Sequence, residues 1–145
     1  MVRVQVSQII NRPPDEVFRH VATDHFHNHP KWDPNVVEMV QTSTGPMRVG
    51  TTARLVRQDG GKRVEGAVEI TEYEPDRCFA AVVSFGPFVL DERATVEPVG
   101  ALSSQLTLTI DNQATGLMRV LLPLLRGRFR RTMTESVRRI KDMVE

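Results

Sequence analysis

Cysteine is almost absent from this chain of 145 residues, and the single thiol, Cys78, has no partner for an intrachain disulfide. Cysteine usage therefore gives no sign of an oxidising compartment, and we interpret Cys78 as a buried, inert thiol. Long apolar runs are also missing. No stretch approaches the roughly 20 apolar residues of a membrane-spanning helix, and the opening MVRVQVSQII alternates polar and apolar residues, unlike a signal peptide. These absences lead us to expect a cytoplasmic protein.

Motifs of several common enzyme classes are missing as well. The chain has no glycine-rich nucleotide-binding loop, no serine nucleophile elbow and no CxxC pair, which argues against kinases, α/β-hydrolases and redox enzymes.

The formal net charge of +1 identifies no partner. A composition with 40% hydrophobic and 26% charged residues is typical of a globular protein, and the length predicts one domain over residues 1–145. Arginine outnumbers lysine 16 to 3, as in proteins of GC-rich bacteria.

Alternation of polar and apolar residues is the strongest pattern in the chain. Val2, Val4 and Val6 alternate with polar residues and predict a first strand. Between residues 36 and 112, six further segments of this type are separated by turn residues. They are VVEMVQ, TTARLVRQ, RVEGAVEITEYE, RCFAAVVSF, FVLDERATVE and ALSSQLTLTID. The sequence therefore predicts an antiparallel meander and a sheet of about seven strands.

Two short helices are predicted between the first strand and the meander. Pro13 and Pro14 end the strand, and NRPPDEVFRHVATD then shows helical spacing over two to three turns. In the following HFHNHPKWDP, Pro30 and Pro34 each disfavour helix in the residue before them. We therefore expect at most one further helical turn there, leading into a loop.

Helical periodicity returns after Thr115 and continues to the end of the chain. One apolar stripe steps by four and three through Phe129, Met133, Val137, Ile140 and Val144. An earlier stripe consists of Leu117, Leu121, Leu124 and Leu125. The two stripes do not share a face of a straight helix, which predicts a kink or break between Pro123 and Gly127.

One architecture covers all of these apolar faces. A curved antiparallel sheet that wraps around the long C-terminal helix, with the two short helices closing one end, gives an α+β helix-grip fold. Such an arrangement tends to leave a space between sheet and helix, which is a natural site for a small molecule.

Several segments, in this order, resemble the START-like, or SRPBCC, superfamily, particularly its polyketide cyclase/dehydrase and lipid-transport branch. The resemblance is carried by IINRPPDEVFRHVAT, PKWDPNV, VEITEYEPDRCFA and the closing RRIKDMVE, and it covers essentially the whole chain. It implies the helix-grip fold and an internal ligand site. It also implies that Trp32 is an architectural residue near the junction of the short helices with the next strand.

Three histidines, His25, His27 and His29, stand close enough in sequence to be considered as metal ligands. On a strand they would share one side and converge on an ion such as zinc. The predicted transition from helix to loop denies them that geometry. We therefore predict no metal site and no cofactor, and interpret the three side chains as solvated.

His20, Asp91 and Arg93 are candidates for proton transfer. His20 lies near the apolar side of the first helix, where it serves either as a general base or as a structural group. Alternation places Asp91 and Arg93 on one strand face with Val89. The other face carries Leu90, Glu92, Ala94 and Val96. If Asp91 and Arg93 face inwards, they orient a polar headgroup; if they face outwards, they form a solvated pair.

Our leading hypothesis is a carrier of a hydrophobic small molecule, such as a lipid or an aromatic polyketide. The residues expected to line its cavity are Trp32, Phe85, Val89, Asp91, Arg93, Leu117, Leu121, Leu124 and Leu125. A cyclase- or dehydratase-like enzyme that uses the same cavity is the first alternative. An interaction protein that docks through its basic C-terminal helix is the second.

The distribution of charge on the C-terminal helix indicates which partners to expect. Its basic residues are spread around the helix and only Phe129 is interleaved with them, so we expect no nucleic acid. The segment LLPLLRGRFRR instead resembles an apolar lid with a basic collar, which fits transient contact with a membrane. Both a monomer and a homodimer remain open.

Overall fold

One antiparallel sheet of seven strands organises the molecule, in a computed structural model that describes all 145 residues. The strands are β1 (Val2–Ile10), β2 (Val36–Gln41), β3 (Thr52–Asp59), β4 (Lys62–Glu74), β5 (Cys78–Phe85), β6 (Phe88–Pro98) and β7 (Ser104–Ala114). Their order across the sheet is β1-β7-β6-β5-β4-β3-β2. Strands β2 to β7 thus form the predicted meander, and β1 pairs with β7 to become an edge.

Helices lie at one end of the sheet and across it. Helix α1 (Pro14–Phe18) continues through a π-helical turn (Arg19–Thr23) towards α2 (His25–Trp32). After β7 come α3 (Leu117–Leu121), a 3-10 turn (Leu122–Leu125) and the long α4 (Arg126–Val144). The predicted α+β helix-grip arrangement is confirmed, including the break near Pro123. None of the helices combines the length and apolar character needed to cross a membrane.

Helix α2 is longer than the single turn that we predicted. It runs for eight residues and includes Pro30, and the Asp33 N–H still donates to the His29 carbonyl at 3.0 Å. Proline removes one hydrogen bond here, but one face of the helix is buried through His25, His29 and Trp32. Packing of this face therefore outweighs the local effect of Pro30.

The position of α4 explains why the fold leaves internal space. Its first turns lie along the edge strand β1, where the Arg126 and Arg130 guanidinium groups donate to the carbonyls of Arg3 and Gln5 at 2.8 and 3.2 Å. Its last turns are anchored in the main core through Val137, Ile140 and Val144. Because the helix is held at the edge and at one end, the middle strands of the sheet stand away from its first half.

Candidate functional site

A cavity of about 390 Å³ lies between the concave face of the sheet and α4. Strands β5, β6 and β7 form its floor, α4 forms its roof, and α2 and β3 close the end. The floor is mainly apolar, with Phe79, Phe85, Leu90 and Leu108 among its residues, and Phe129 lies in the roof. A mainly apolar cavity of this size matches the dimensions of small-molecule sites.

Arg57 is the least exposed arginine that borders the cavity, and two carboxylates neutralise it. Its Nε donates to Asp59 at 3.0 Å, its Nη1 donates to Asp33 at 3.1 Å, and its guanidinium lies 5.1 Å from the centre of the Phe85 ring. Burial works against this charge, but the hydrogen bonds to Asp59 and the attraction of both aspartates raise the pKa of Arg57. The guanidinium is therefore charged, and two carboxylates balance its charge.

Glu92 faces the same cavity without such a partner. On β6 it stands between Ala81 of β5 and Ile110 of β7, two apolar neighbours. No hydrogen bond engages its carboxyl group, and burial raises its pKa to about 7, with Asp33 and Asp91 adding to the rise and Arg57 opposing it. Glu92 therefore gains or loses a proton near neutral pH, which is unusual for a carboxyl group.

Two of the three clustered histidines are buried at the closed end of the cavity. His25 is 7% exposed and His29 is 8% exposed, so the interpretation of these two side chains as solvated is wrong; His27 is exposed. The physical reason is the helical spacing of α2, which puts positions i, i+4 and i+7 on one face and packs both rings beside Trp32.

Both buried imidazoles are neutral. Burial lowers the pKa of His25 to about 4, although its Nδ1–H donates to the Val21 carbonyl at 2.8 Å. Burial, and then repulsion from His25 and Arg57, lowers the pKa of His29 well below its ordinary value, and His29 Nδ1 has no hydrogen-bond partner. No group of three or more His, Cys, Asp or Glu side chains is placed to hold a metal ion.

The structure brings together only part of the predicted cavity set. Trp32, Phe85 and Leu125 border the cavity, and so does Arg93. The Arg93 guanidinium, however, is on the outer side of the sheet, 2.7 Å from Glu72 and 3.0 Å from the Cys78 sulfur. Burial raises the pKa of the Cys78 thiol; Arg93 opposes this rise and Glu72 adds to it, and the net rise favours the unreactive form.

The other predicted residues lie outside the cavity lining. Val89 and Asp91 are exposed on the outer face of β6, so it is the face with Leu90, Glu92 and Ala94 that points inwards. Leu117, Leu121 and Leu124 are exposed at 76%, 38% and 80%. The 3-10 turn is wound more tightly than an α-helix, and it is Leu122 that becomes buried, at 2% exposure.

His20 also lies outside the cavity lining. Its Nδ1 atom is 2.9 Å from the Glu16 carbonyl, to which it donates, and its own carbonyl accepts from the Asn28 side chain. The structure thus gives this histidine local helix contacts.

Sequence reasoning missed the three groups that give the cavity its polar end, Arg57, Glu92 and the buried His25. A useful signal was present for Glu92, because its face of the strand also carries Leu90, Ala94 and Val96.

Comparison with known proteins places this fold and site in a family. A sequence model of the family described as "Polyketide cyclase / dehydrase and lipid transport" matches residues 1–145. No protein of curated function matches the chain in sequence.

Solved structures share the fold at low sequence identity. TTHA0849 from Thermus thermophilus has a TM-score of 0.79 and 17% identity, with 99% of this chain and 97% of that chain covered. A START superfamily protein from Mycobacterium smegmatis has a TM-score of 0.80 and 13% identity, with 98% and 96% covered. DynU16, a protein in the dynemicin biosynthetic locus, has a TM-score of 0.67 and 20% identity, with 97% of this chain and 46% of that chain covered. By the match over its whole length, the chain belongs to the polyketide cyclase/dehydrase and lipid transport family.

Proposed function

We propose that the protein binds a hydrophobic small molecule in the cavity between the sheet and α4. The observation that carries this proposal is the cavity of about 390 Å³ with mainly aromatic and aliphatic walls. A ligand that buries about 300 Å² of apolar surface there gains roughly 7 kcal/mol, before the entropy lost on association is subtracted. The family and the fold agree with this function.

The segment Leu117–Arg128 is proposed to act as the lid of this cavity. Helix α3 has no buried residue, while Met118, Leu125 and Arg128 border the cavity. Pro123 lies in the 3-10 turn between α3 and α4, where it removes a helical hydrogen bond. Helix α3 therefore has few contacts to break when a ligand enters, while the buried Leu122 anchors the 3-10 turn in a cluster with Val2 and Val4.

The outer side of the lid is proposed to touch a membrane transiently while ligand is exchanged. It exposes Leu117, Val120 and Leu124 at 76%, 72% and 80%. Arg119 and Arg126, on the same segment, are also exposed. Exposed aliphatic side chains beside arginines fit the interface of an anionic bilayer.

A second candidate function is catalysis in the same cavity, and Glu92 is the observation that favours it. A carboxyl group with a pKa of about 7 can both donate and accept a proton at neutral pH. The similarity in fold to DynU16, from a biosynthetic locus, fits this candidate. The test is to incubate the protein with an aromatic polyketide and look for a product. Catalysis is supported over binding alone if the wild type forms a product and Glu92→Gln binds the same compound without converting it.

Binding itself can be tested with two matched variants on α4. Thr132 and Thr134 both donate to the carbonyl four residues earlier, at 3.1 and 2.8 Å, but only Thr132 borders the cavity. Thr132→Phe should fill part of the cavity and weaken binding of decan-1-ol at least tenfold in calorimetric titration. Thr134→Phe should bind like the wild type. Absence of saturable binding in the wild type, or equal loss in both variants, would contradict the proposed site.

A further inference from the structure

The charged groups around the cavity leave one acid unbalanced. Arg57 is paired with Asp33 and Asp59, so this group of three side chains has an excess of one negative charge. The two buried histidines of α2 are neutral and add nothing. When Glu92 ionises, the excess at this end becomes two negative charges.

Among the surrounding charges only Arg57 offsets Glu92, and it does so in part, because it is paired with Asp33 and Asp59. Arg93 is paired with Glu72 on the outer face of the sheet, and Asp91, beside it, is exposed on that same face. Arg128 borders the mouth of the cavity from α4, but its side chain is exposed and it does not contribute to the pKa of Glu92. The neighbours from β5 and β7, Ala81 and Ile110, are apolar.

Aromatic rings share this space with the unpaired acid. Phe79 faces the cavity from the strand next to Glu92 and pairs with Ala94, two residues further along β6, so it is a diagonal neighbour of Glu92. Phe85, Phe88 and Phe129 also border the cavity. The faces of such rings attract cations, and the attraction grows when water is excluded.

We propose that the ligand of this cavity carries an amine, whose ammonium group pairs with the Glu92 carboxylate while its apolar body lies against the aromatic walls. This inference rests on the proposed binding function and names the chemical class of the ligand. An ammonium group supplies the missing positive charge and offers several N–H donors.

His25 provides a second acceptor at this end of the cavity. Its Nδ1–H donates to the Val21 carbonyl, so in the neutral ring Nε2 carries a lone pair. A carboxylate ligand finds the opposite environment. Three of the five N–H groups of Arg57 already donate to Asp33 and Asp59, and a ligand anion would add to the existing negative excess of this group.

Three ligands that differ only in the headgroup test the inference: decylamine, decan-1-ol and decanoate. Calorimetric titration of the full chain at pH 8 should show decylamine binding at least tenfold more tightly than decan-1-ol, and decanoate more weakly than decan-1-ol. At pH 6 about nine tenths of the Glu92 carboxyl groups are protonated in the free protein, so the affinity for decylamine should fall about tenfold. The affinity for decan-1-ol should change much less.

Glu92→Gln and a control on the same strand complete the experiment. In Glu92→Gln the advantage of decylamine over decan-1-ol should shrink to less than threefold at both pH values, while decan-1-ol still binds and so reports a folded cavity. Glu97→Gln, at an exposed position of β6, should behave like the wild type.

The outcomes separate this inference from the proposed function. Equal affinities for decylamine and decan-1-ol at pH 8, an amine preference that survives Glu92→Gln, or a preference for decanoate would overturn the amine assignment and leave a hydrophobic cavity in place. Failure of all three ligands to bind would overturn both.

Discussion

Replacing Glu92 by glutamine should change how stability depends on pH, because the cavity raises the pKa of this carboxyl group. The pKa of Glu92 is about 7 in the folded protein and about 4.5 when the group is free. Between these two values the folded chain binds one more proton than the unfolded chain, so the wild type loses stability as pH rises from 4.5 to 7. At about 1.36 kcal/mol per pH unit, the loss is about 3 kcal/mol.

His25 makes the free energy of unfolding change with pH in the opposite direction, so the experiment has to separate its contribution from that of Glu92. Its pKa falls from 6.5 in the free side chain to about 4 in the folded protein, so its contribution to stability is lost as pH falls from 6.5 to 4. The slopes of Glu92 and His25 nearly cancel between pH 4.5 and 6.5, and the lowered pKa of His29 adds a further slope of the same sign as that of His25. Only the difference between the wild type and Glu92→Gln isolates the carboxyl group.

Urea unfolding followed by the fluorescence of Trp32 measures this difference between pH 4.5 and 8.5. Relative to the wild type, Glu92→Gln should gain about 3 kcal/mol across this range, with most of the gain between pH 5 and 7. Glu97→Gln, which changes an exposed carboxyl group on the same strand, should stay within about 0.5 kcal/mol of the wild type throughout. Parallel curves for wild type and Glu92→Gln would refute the claim that the cavity raises the pKa of Glu92.

The core, the lid and the histidines of α2 each give a further prediction. Trp32 is 6% exposed in the main core, so Trp32→Ala should reduce the free energy of unfolding by about 3 to 5 kcal/mol; an unchanged urea midpoint would contradict its structural role. Pro123→Ala should restore a helical hydrogen bond and slow stopped-flow release of a bound fluorescent lipid more than it changes equilibrium affinity; identical release rates would count against the lid. Calorimetric titration with zinc should show no tight one-to-one binding, and such binding, if it disappeared on replacing His25, His27 and His29 by alanine, would establish the metal site that we do not expect.

The fold could be read from the sequence because its signals are local and agree with one another. Alternation marks the strands, and turn residues such as Gly60 and Gly61, both at positive φ, separate β3 from β4. The C-terminal helix shows its periodicity over many residues. The folded chain keeps each of these local secondary-structure preferences, because no contact with a distant residue opposes it.

The polar end of the cavity could not be read in the same way, because pairing between distant residues decides it. Alternation in β6 gives two faces but not which one is inside, and Asp91, Glu92 and Arg93 make both faces look polar. Contacts across the sheet settle the question: Asp91 stands opposite Asp111 on the outer face, where Arg3 binds Asp111 at 2.6 Å. No pattern within one segment contains that information.

Local rules also failed where tertiary packing was stronger. Pro30 predicted an early end to α2, yet burial of one helix face carries the helix on to Trp32 and turns His25 and His29 inwards. The stripe of Leu117, Leu121, Leu124 and Leu125 predicted cavity residues, but only Leu125 borders the cavity, and the 3-10 turn buries Leu122 instead. Both differences arise from contacts that a local sequence window does not include.

Intermolecular nuclear Overhauser effects between bound decan-1-ol and the protein test the central claim, a hydrophobic ligand held between sheet and helix, most directly. In one complex, the alkyl protons should show contacts to Phe79 and Leu108 on the sheet and to Phe129 and Met133 on α4, all of which border the cavity. Saturable binding with contacts only to exposed side chains of the lid, such as Leu117 and Leu124, would place the ligand on the surface and contradict the claim.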